Sequence, residues 1–275
     1  MQTTVLAEDF AVKIGGVDLS APLEDAAFDA LRRLWMQYKV AVFPGQTLDD
    51  DALLAFAGRL GPIFTHVQST LHTGERKDVM YMSNRQQEAL VQGELGWHTD
   101  QSYTPKPVFG TILYGIEIPE DGGETCFADL SATYDTLPDR LRGRVEGETA
   151  VYSAERPGHK RRVALTEAER QRIPDVVHPL VRTHPYLGRK ALYLSPMHIK
   201  AIGDLPFDES EALLADLTAH ATAPERLYIH RWTPGDVIMW DNTSVMHRRN
   251  HFPPEQRRFH KRTGFYLPEE LATPF

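Results

Sequence analysis

Apolar residues recur along the chain with two different periods. Over 26–38, 50–60 and 208–222 they fall at helical spacing, which predicts amphipathic helices, and 131–145 is expected to hold one or two more. Elsewhere short apolar runs end at glycine, proline or a small polar residue, which predicts short strands. The predicted strands lie within 1–20 and at 39–43, 78–82, 109–118, 125–128, 150–153, 180–183, 191–194, 227–232, 236–240 and 262–267.

Many short strands, with helices near the start and in insertions, predict a mainly β fold with flanking helices, either a barrel or a sandwich. No repeat, low-complexity tract or linker divides the chain, so 1–275 is expected to form a single domain. Two polar stretches, 83–96 and 155–174, are interpreted as lid loops over a site. The alternative for 155–174 is a solvated loop with a short helix at 166–172.

Composition and charge narrow the function classes. The 275 residues are 41% hydrophobic and 25% charged, which is ordinary for a globular protein. A net charge of -8 argues against a nucleic-acid or membrane-surface binder, although local arginines could still recognise a small anionic substrate. Cys126 is the single cysteine, so no intramolecular disulfide forms, and neither a signal peptide nor a membrane-spanning run of about 20 apolar residues is visible. We expect a cytoplasmic protein.

Candidate chemistry begins at the stretch Gly96-Trp97-His98-Thr99-Asp100. On an extended segment His98 and Asp100 leave the same face, and His247 is a candidate third ligand after the strand predicted at 236–240. Two histidines and a carboxylate with open positions opposite are typical of non-haem Fe(II) oxygenases. The same donors also hold Zn²⁺ with an activated water, so a metal-dependent hydrolase is an alternative, as is a non-catalytic barrel that senses a ligand.

A set of motifs resembles the Fe(II)/2-oxoglutarate-dependent dioxygenases typified by taurine dioxygenase and phenoxyacetate (2,4-D) dioxygenase. Its members are His98-Thr-Asp100, Gly122-Gly-Glu-Thr125, Trp240-Asp-Asn242, His247 and Gln256-Arg-Arg258 followed by Arg262. The resemblance runs in order through most of the chain, with further matches at Val40-Ala-Val-Phe-Pro-Gly45, Leu60-Gly-Pro62 and 178–185. A histidine and an aspartate alone would be a weak signal, whereas the ordered set is specific.

The resemblance implies a double-stranded β-helix (jelly-roll) barrel in which His98, Asp100 and His247 bind Fe(II). The cosubstrate 2-oxoglutarate would chelate the iron, and its far carboxylate would meet Thr125 and Arg258, which lies eleven residues after His247. Arginine suits this task because its guanidinium stays protonated and binds a carboxylate with two donors. Arg262, fifteen residues after His247, is expected in the same pocket, nearer the metal and within reach of an anionic substrate.

The implied reaction uses O₂ and converts 2-oxoglutarate to succinate and CO₂ while a C–H bond of the substrate is hydroxylated. Asp100 itself favours hydroxylation, because related halogenases have a small residue at that position. The resemblance also implies a homo-oligomer, a dimer or a tetramer, whereas it is the net charge that leads us to expect no nucleic-acid or membrane partner.

The substrate is predicted only as a small anionic molecule, such as an aryloxyalkanoate, a sulfonate or a related acid. His66 falls where the taurine enzyme has a histidine that contacts the sulfonate, although a surface or capping histidine is an equal interpretation. Gln101 stands where that enzyme has an apolar residue, which argues against taurine itself. With Tyr103 and Arg262, these are the candidate substrate residues. His178 and His184 are interpreted as structural.

Overall fold

The structure is a computed structural model that describes residues 1–65, 76–85, 94–158 and 164–269. The strands in chain order are β1 (Gln2–Ala7), β2 (Ala11–Gly15), β3 (Val40–Phe43), β4 (Met80–Ser83), β5 (Leu95–His98), β6 (Gly110–Glu117), β7 (Thr125–Asp129), β8 (Thr149–Tyr152), β9 (Val176–Pro179), β10 (Val181–Thr183), β11 (Lys190–Leu192), β12 (Ile199–Ile202), β13 (Leu227–His230), β14 (Val237–Asp241), β15 (Val245–Arg249) and β16 (Phe259–Phe265). The helices are α1 (Asp25–Tyr38), α2 (Asp50–Gly58), α3 (Leu130–Asp135), α4 (Asp139–Arg142), α5 (Glu167–Arg172) and α6 (Phe207–Ala221).

Two sheets build the part of the fold that concerns function. The large sheet has seven strands in the order β1-β2-β3-β14-β6-β16-β4, and the smaller has four in the order β13-β7-β15-β5. Strands β2 and β3 run parallel, whereas the pairs next to the site are antiparallel. A three-stranded sheet, β12-β8-β9, and the pair β10-β11 complete the described strands. The prediction of a mainly β fold with flanking helices is confirmed.

The central strands of the large sheet are buried on both faces. On β14, Val237 and Met239 pack with α1 and α2, while Ile238 and Trp240 pack against Phe127 of the four-stranded sheet. Because side chains alternate along a strand, every second residue of the large sheet faces the four-stranded sheet. The two sheets therefore share an inner face, and that face carries the candidate site.

Helix α1 covers the outer face of the large sheet. Its apolar residues lie at helical spacing, and Trp35 and Leu31 are fully buried. The ring of Trp35 meets Phe109 and Phe265 edge-on, at 5.5 and 5.6 Å between ring centroids. This packing holds β6 and β16 in place from behind. Helices α3 and α6 pack with the three-stranded sheet and the pair β10-β11 in a separate core. In the described part of the chain, no helix combines the length and apolar character needed to cross a bilayer.

Several sequence-based boundaries need correction. The stretch 83–96 was expected to be a loop, but Ser83 ends β4 and residues 95–96 begin β5, while 86–93 lie outside the described residues. Strand β15 was not predicted, because two apolar residues are followed there by a histidine and two arginines. Strands β9 and β12 were also missed. The short helix expected at 166–172 is confirmed as α5, with a capping box formed by Thr166 and Glu169.

Candidate metal centre

Three side chains converge on the inner face of the four-stranded sheet. His98 ends β5, Asp100 lies in the turn that follows, and His247 stands opposite His98 on the neighbouring strand β15. The Nε2 atoms of His98 and His247 lie 3.6 and 3.7 Å from Oδ1 of Asp100. The sequence argument placed His98 and Asp100 on one strand face, which is wrong in detail. Cross-strand register and a turn bring the three donors together.

The donors are in the forms that a metal requires. Nδ1 of His98 donates to the carbonyl of Gly96 at 2.8 Å, which leaves the Nε2 lone pair directed at the cluster. Burial, and then the neighbouring ring of His98, hold the pKa of His247 well below its ordinary value, so that imidazole is neutral. Burial raises the pKa of Asp100, but the cation of Arg262 and the nearby imidazoles outweigh it, and the pKa lies well below 3.8.

Two imidazoles and one carboxylate whose ligand atoms lie within 4.8 Å of one another suit a divalent transition metal. The geometry and donor chemistry are those of a two-histidine, one-carboxylate metal site.

A hydrogen-bond chain holds Asp100 in position. The Thr111 hydroxyl donates to Oδ2 of Asp100 at 2.7 Å and accepts from Nδ2 of Asn242 at 3.0 Å. The Trp240 indole donates to Oδ1 of Asn242 at 3.1 Å, which orients that amide. Oδ2 is thus occupied by the threonine, and Oδ1 is the oxygen that faces the two histidines. Such supporting contacts typically tune ligand orientation and metal affinity.

A cleft of about 370 Å³ opens from the metal cluster between the two sheets. It is lined by Met82, Leu95, His98, Leu113, Thr125, Trp240, His247, Arg249, Arg258 and Arg262. Arg262 also lines a second cleft, of which the other walls are Phe64, Lys77, Asp78, Met80, Val108, Thr111, Thr263 and Gly264. Its Nη2 lies 2.6 Å from Oδ1 of Asp100. Arg262 therefore stands between the two clefts and beside the carboxylate of the cluster.

The first cleft carries a buried cation and an oriented hydroxyl. Arg258 is 2% exposed, and among the described residues its Nε and Nη1 atoms have no hydrogen-bond partner. Nε1 of Trp232 donates to Oγ1 of Thr125 at 3.0 Å. Since the threonine oxygen already accepts this bond, its own proton is free to donate into the cleft. A buried guanidinium beside a hydroxyl donor is a site for an anion, because an uncompensated buried charge is costly.

The candidate substrate residues are distributed differently. His66 lies outside the described residues. Gln101 is buried with a left-handed backbone, φ 53°, and its carbonyl accepts from the backbone and hydroxyl of Thr104. Tyr103 packs on His198 at 4.7 Å between ring centroids. Neither Gln101 nor Tyr103 is among the residues that line these two clefts. The structure therefore does not bring them to the cluster in the way that it brings Arg262.

Sequence reasoning missed four residues that complete the site. Thr111, Trp232 and Arg249 were not singled out, and Asn242 was noted only as a member of the Trp240-Asp-Asn242 motif, without a task in the site. Arg249 had a usable signal, since it lies two residues after His247 and shares its face once 245–249 is known to be a strand. Thr111 had none, because its partner Asn242 lies 131 residues further along the chain and nothing local marks its contact with Asp100.

The histidines that were interpreted as structural lie in hydrogen-bonded positions. Nδ1 of His184 accepts from the backbone N–H groups of Tyr186 and Leu187, both at 3.2 Å, and Nε2 lies 3.1 Å from Oδ2 of Asp241. Nε2 of His178 donates to the carbonyl of Thr104 at 3.0 Å. His178 thereby supports the turn that follows Asp100.

His178 should make stability depend on pH. Burial, and then the charge of Arg182, lower its pKa from 6.5 to about 4. Between these values the unfolded chain binds more protons than the folded chain, so stability falls as the pH drops from 6.5 toward 4 and levels off below. We expect His178→Gln, which keeps an N–H donor but cannot titrate, to remove about 1–2 kcal/mol of this loss. Urea unfolding of the wild type and of His178→Gln at pH 7 and pH 4.5 measures the free energy of unfolding in each case. An equal loss of stability in the two proteins would contradict the role assigned to His178.

Comparison with known proteins agrees with this site. The family model described as "Taurine catabolism dioxygenase TauD, TfdA family" matches residues 2–263. A (S)-phenoxypropionate/alpha-ketoglutarate-dioxygenase of Sphingobium herbicidovorans is 35% identical over 257 residues, covering 90% of this chain and 89% of the relative. An alpha-ketoglutarate-dependent 2,4-dichlorophenoxyacetate dioxygenase of Cupriavidus pinatubonensis is 35% identical over 268 residues, covering 90% of this chain and 92% of the relative.

A solved structure, AAD-2 in complex with Mn(II) and N-oxalylglycine, superposes with a TM-score of 0.88 at 30% identity and covers 98% of both chains. This chain belongs to the TauD, TfdA family of dioxygenases.

Proposed function

We propose that this protein is a non-haem Fe(II)/2-oxoglutarate-dependent dioxygenase that hydroxylates a small anionic organic substrate and releases succinate and CO₂. The observation that carries the proposal is a single cleft that is lined both by His98 and His247 of the metal cluster and by the buried Arg258. A hydrolytic metal site needs a water but has no use for a buried guanidinium in the same pocket. A 2-oxo diacid uses both features, because its 2-oxo acid group can bind the metal while its second carboxylate binds the guanidinium.

Each residue has a proposed task. His98, Asp100 and His247 would hold Fe(II), and the bound iron with 2-oxoglutarate would supply the activation of O₂ and the oxidation of a C–H bond. Arg258 and Thr125 would bind the far carboxylate of 2-oxoglutarate. Metal binding and carboxylate binding fall to different residues. The protein would only have to place the reacting groups and exclude water, since the oxidation itself would be supplied by the bound metal.

Arg262 is proposed to act at the boundary between the two clefts. Its contact with Asp100 keeps that carboxylate ionised, which the ligand requires. It also faces the second cleft, where Phe64, Met80 and Val108 form apolar walls. An apolar wall beside a guanidinium fits the ring and the carboxylate of an aryloxyalkanoate, the class that the names of the two relatives carry. Sulfonates and related acids fit the same chemistry.

Further parts of the proposal concern the whole protein. We assign the fold to the double-stranded β-helix type and the chain to a single domain, with lids at 83–96 and 155–174. His66 remains a proposed substrate contact, whereas Gln101 and Tyr103 line neither of the two clefts. A cytoplasmic location and, as the family resemblance implies, a dimer or tetramer complete the proposal.

A substrate panel tests the reaction. Succinate release with Fe(II), 2-oxoglutarate and O₂ is measured with aryloxyalkanoates, alkyl and aryl sulfonates and sulfate esters. Each carboxylic acid is paired with its methyl ester, which has the same shape without the charge. We expect at least one acid to stimulate succinate release and its ester to fail. Stimulation by the uncharged methyl esters alone would contradict the proposal of an anionic substrate. N-Oxalylglycine should inhibit; hydrolysis that is indifferent to it would instead favour the hydrolase alternative.

A further inference from the structure

Arg249 places a second cation in the cleft that Arg258 lines. On β15 it lies two residues after His247, so both side chains leave the same face of the strand. It stands directly opposite Thr125 of β7 in the antiparallel register. The residue is 4% exposed and lines the same cleft as the metal cluster. The preceding residue, Arg248, has the other orientation and pairs with Glu94 at 3.1 Å.

The two guanidinium groups come from opposite sheets, and each lies near the same aromatic ring. Arg249 belongs to the four-stranded sheet, whereas Arg258 immediately precedes β16 of the large sheet. Their Cζ atoms lie 5.5 and 5.8 Å from the ring centroid of Phe252. Burial, and then the charge of Arg249, lower the pKa of Arg258, as expected for two cations brought together away from water.

A buried guanidinium with a second cation beside it costs free energy unless an anion lies near it, and this holds for Arg258. Among the described residues, no aspartate or glutamate forms an ion pair with Arg258. The Thr125 hydroxyl, which Trp232 orients, faces the same space. Cations on two walls and a donor between them form a pocket for a planar anion that accepts several hydrogen bonds.

We propose that Arg249 is a second guanidinium of the subsite for the far carboxylate of 2-oxoglutarate, which is held between Arg249 on one sheet and Arg258 on the other. The inference rests on the proposed function and adds a binding residue to it. It has a consequence for selectivity. A pocket with two guanidinium groups discriminates more strongly than a pocket with one against 2-oxo acids that lack the second carboxylate, because such a ligand leaves the charge of Arg258 uncompensated and offers Arg249 no acceptor at that end.

Calorimetric titration of the Mn(II)-loaded full-length protein tests the proposal. One probe is N-oxalylglycine, which carries the far carboxylate; the other is 2-oxopentanoate, which has a methyl group in its place. Arg249→Met removes the charge and keeps much of the length, while Arg249→Lys keeps the charge without the planar fork. Arg248→Met is the matched control at the neighbouring position on the opposite face.

We expect Arg249→Met to weaken N-oxalylglycine binding about tenfold or more, since a hydrogen bond to a charged group contributes about 1.5–3 kcal/mol. Binding of 2-oxopentanoate should be unchanged, Arg249→Lys should lose less, and Arg248→Met should bind both probes as the wild type does. If Arg249→Met does not fold, Arg249→Lys still gives the comparison between the two probes.

Undiminished N-oxalylglycine binding in Arg249→Met, with a wild type that binds it, would overturn this inference and leave the proposed function standing. An equal loss for both probes would also overturn it, because a merely structural role affects the two ligands alike. A wild type that binds neither probe would overturn the proposed function and the inference together.

Discussion

Replacing His98 by alanine is expected to abolish succinate formation from 2-oxoglutarate while the protein stays folded. His98 is one of three donors whose ligand atoms lie within 4.8 Å of one another, and its Nε2 lies 3.6 Å from the carboxylate of Asp100. With one imidazole removed, the remaining pair offers a divalent metal two donors, and affinity falls steeply. Metal content after gel filtration and succinate release under saturating 2-oxoglutarate measure the two effects.

The control for this variant is another histidine on the same chain. His220 lies on α6, where its Nε2 is 3.2 Å from the hydroxyl of Thr136, and it is not one of the three donors of the cluster. His220→Gln should retain metal and turnover. Succinate formation by His98→Ala at the wild-type rate, with the same bound metal, would remove His98 from the ligand set. Loss of turnover in both variants would show that general destabilisation, and not ligation, causes the effect.

The chemistry of the site could be predicted from the sequence further than its geometry. His98 and Asp100 stand out because a histidine and an aspartate two residues apart would leave the same face of an extended segment. The structure adds that the pair is completed by register: His247 lies opposite His98 on an adjacent strand. No local pattern specifies which distant strand pairs with β5, since pairing depends on the whole sheet.

The strand that carries His247 was missed for a physical reason. Hydrophobic alternation identifies strands whose buried face is apolar, but the inner face at this end of the two sheets is polar. Thr125, His247, Arg249, Arg258 and His260 are all buried there. A polar inner face is what a site for a metal and a dianion requires, and the usual pattern therefore fails where the function lies. The apolar strands β3, β6 and β14 follow the pattern, and their existence was predicted.

Contacts that support the ligands were beyond sequence reasoning. Thr111 and Asn242 are ordinary polar residues at the edges of predicted strands, and only their meeting beside Asp100 gives them a task. Arg258 is different, because its distance from His247 along the chain matches the family pattern. The structure shows why that spacing is tolerated: β15 and β16 lie on facing sheets, so a residue at the start of β16 can reach the cleft that begins at His247.

Replacing Arg258 by alanine is expected to raise the KM for 2-oxoglutarate by about thirtyfold or more, because removal of a buried charge partner costs about 2–5 kcal/mol. The KM for the substrate that is hydroxylated should change little, since Arg258 lines the first cleft and not the second. Turnover at saturating 2-oxoglutarate should fall much less than kcat/KM, because the interaction is made in the ground state as well as during reaction. Steady-state kinetics with each substrate varied in turn separate these effects.

The matched control is Arg257→Ala. Its side chain is 71% exposed and pairs with Glu117 at 3.3 Å, so both kinetic constants should stay at their wild-type values. A rise in only the KM of the hydroxylated substrate would exchange the roles assigned to Arg258 and Arg262. A second readout follows from burial: wild-type protein should gain thermal stability when 2-oxoglutarate is added, because the ligand compensates a cation that is 2% exposed. Arg258→Ala should lose most of that gain, whereas an arginine that served only to pack the strand would leave it intact.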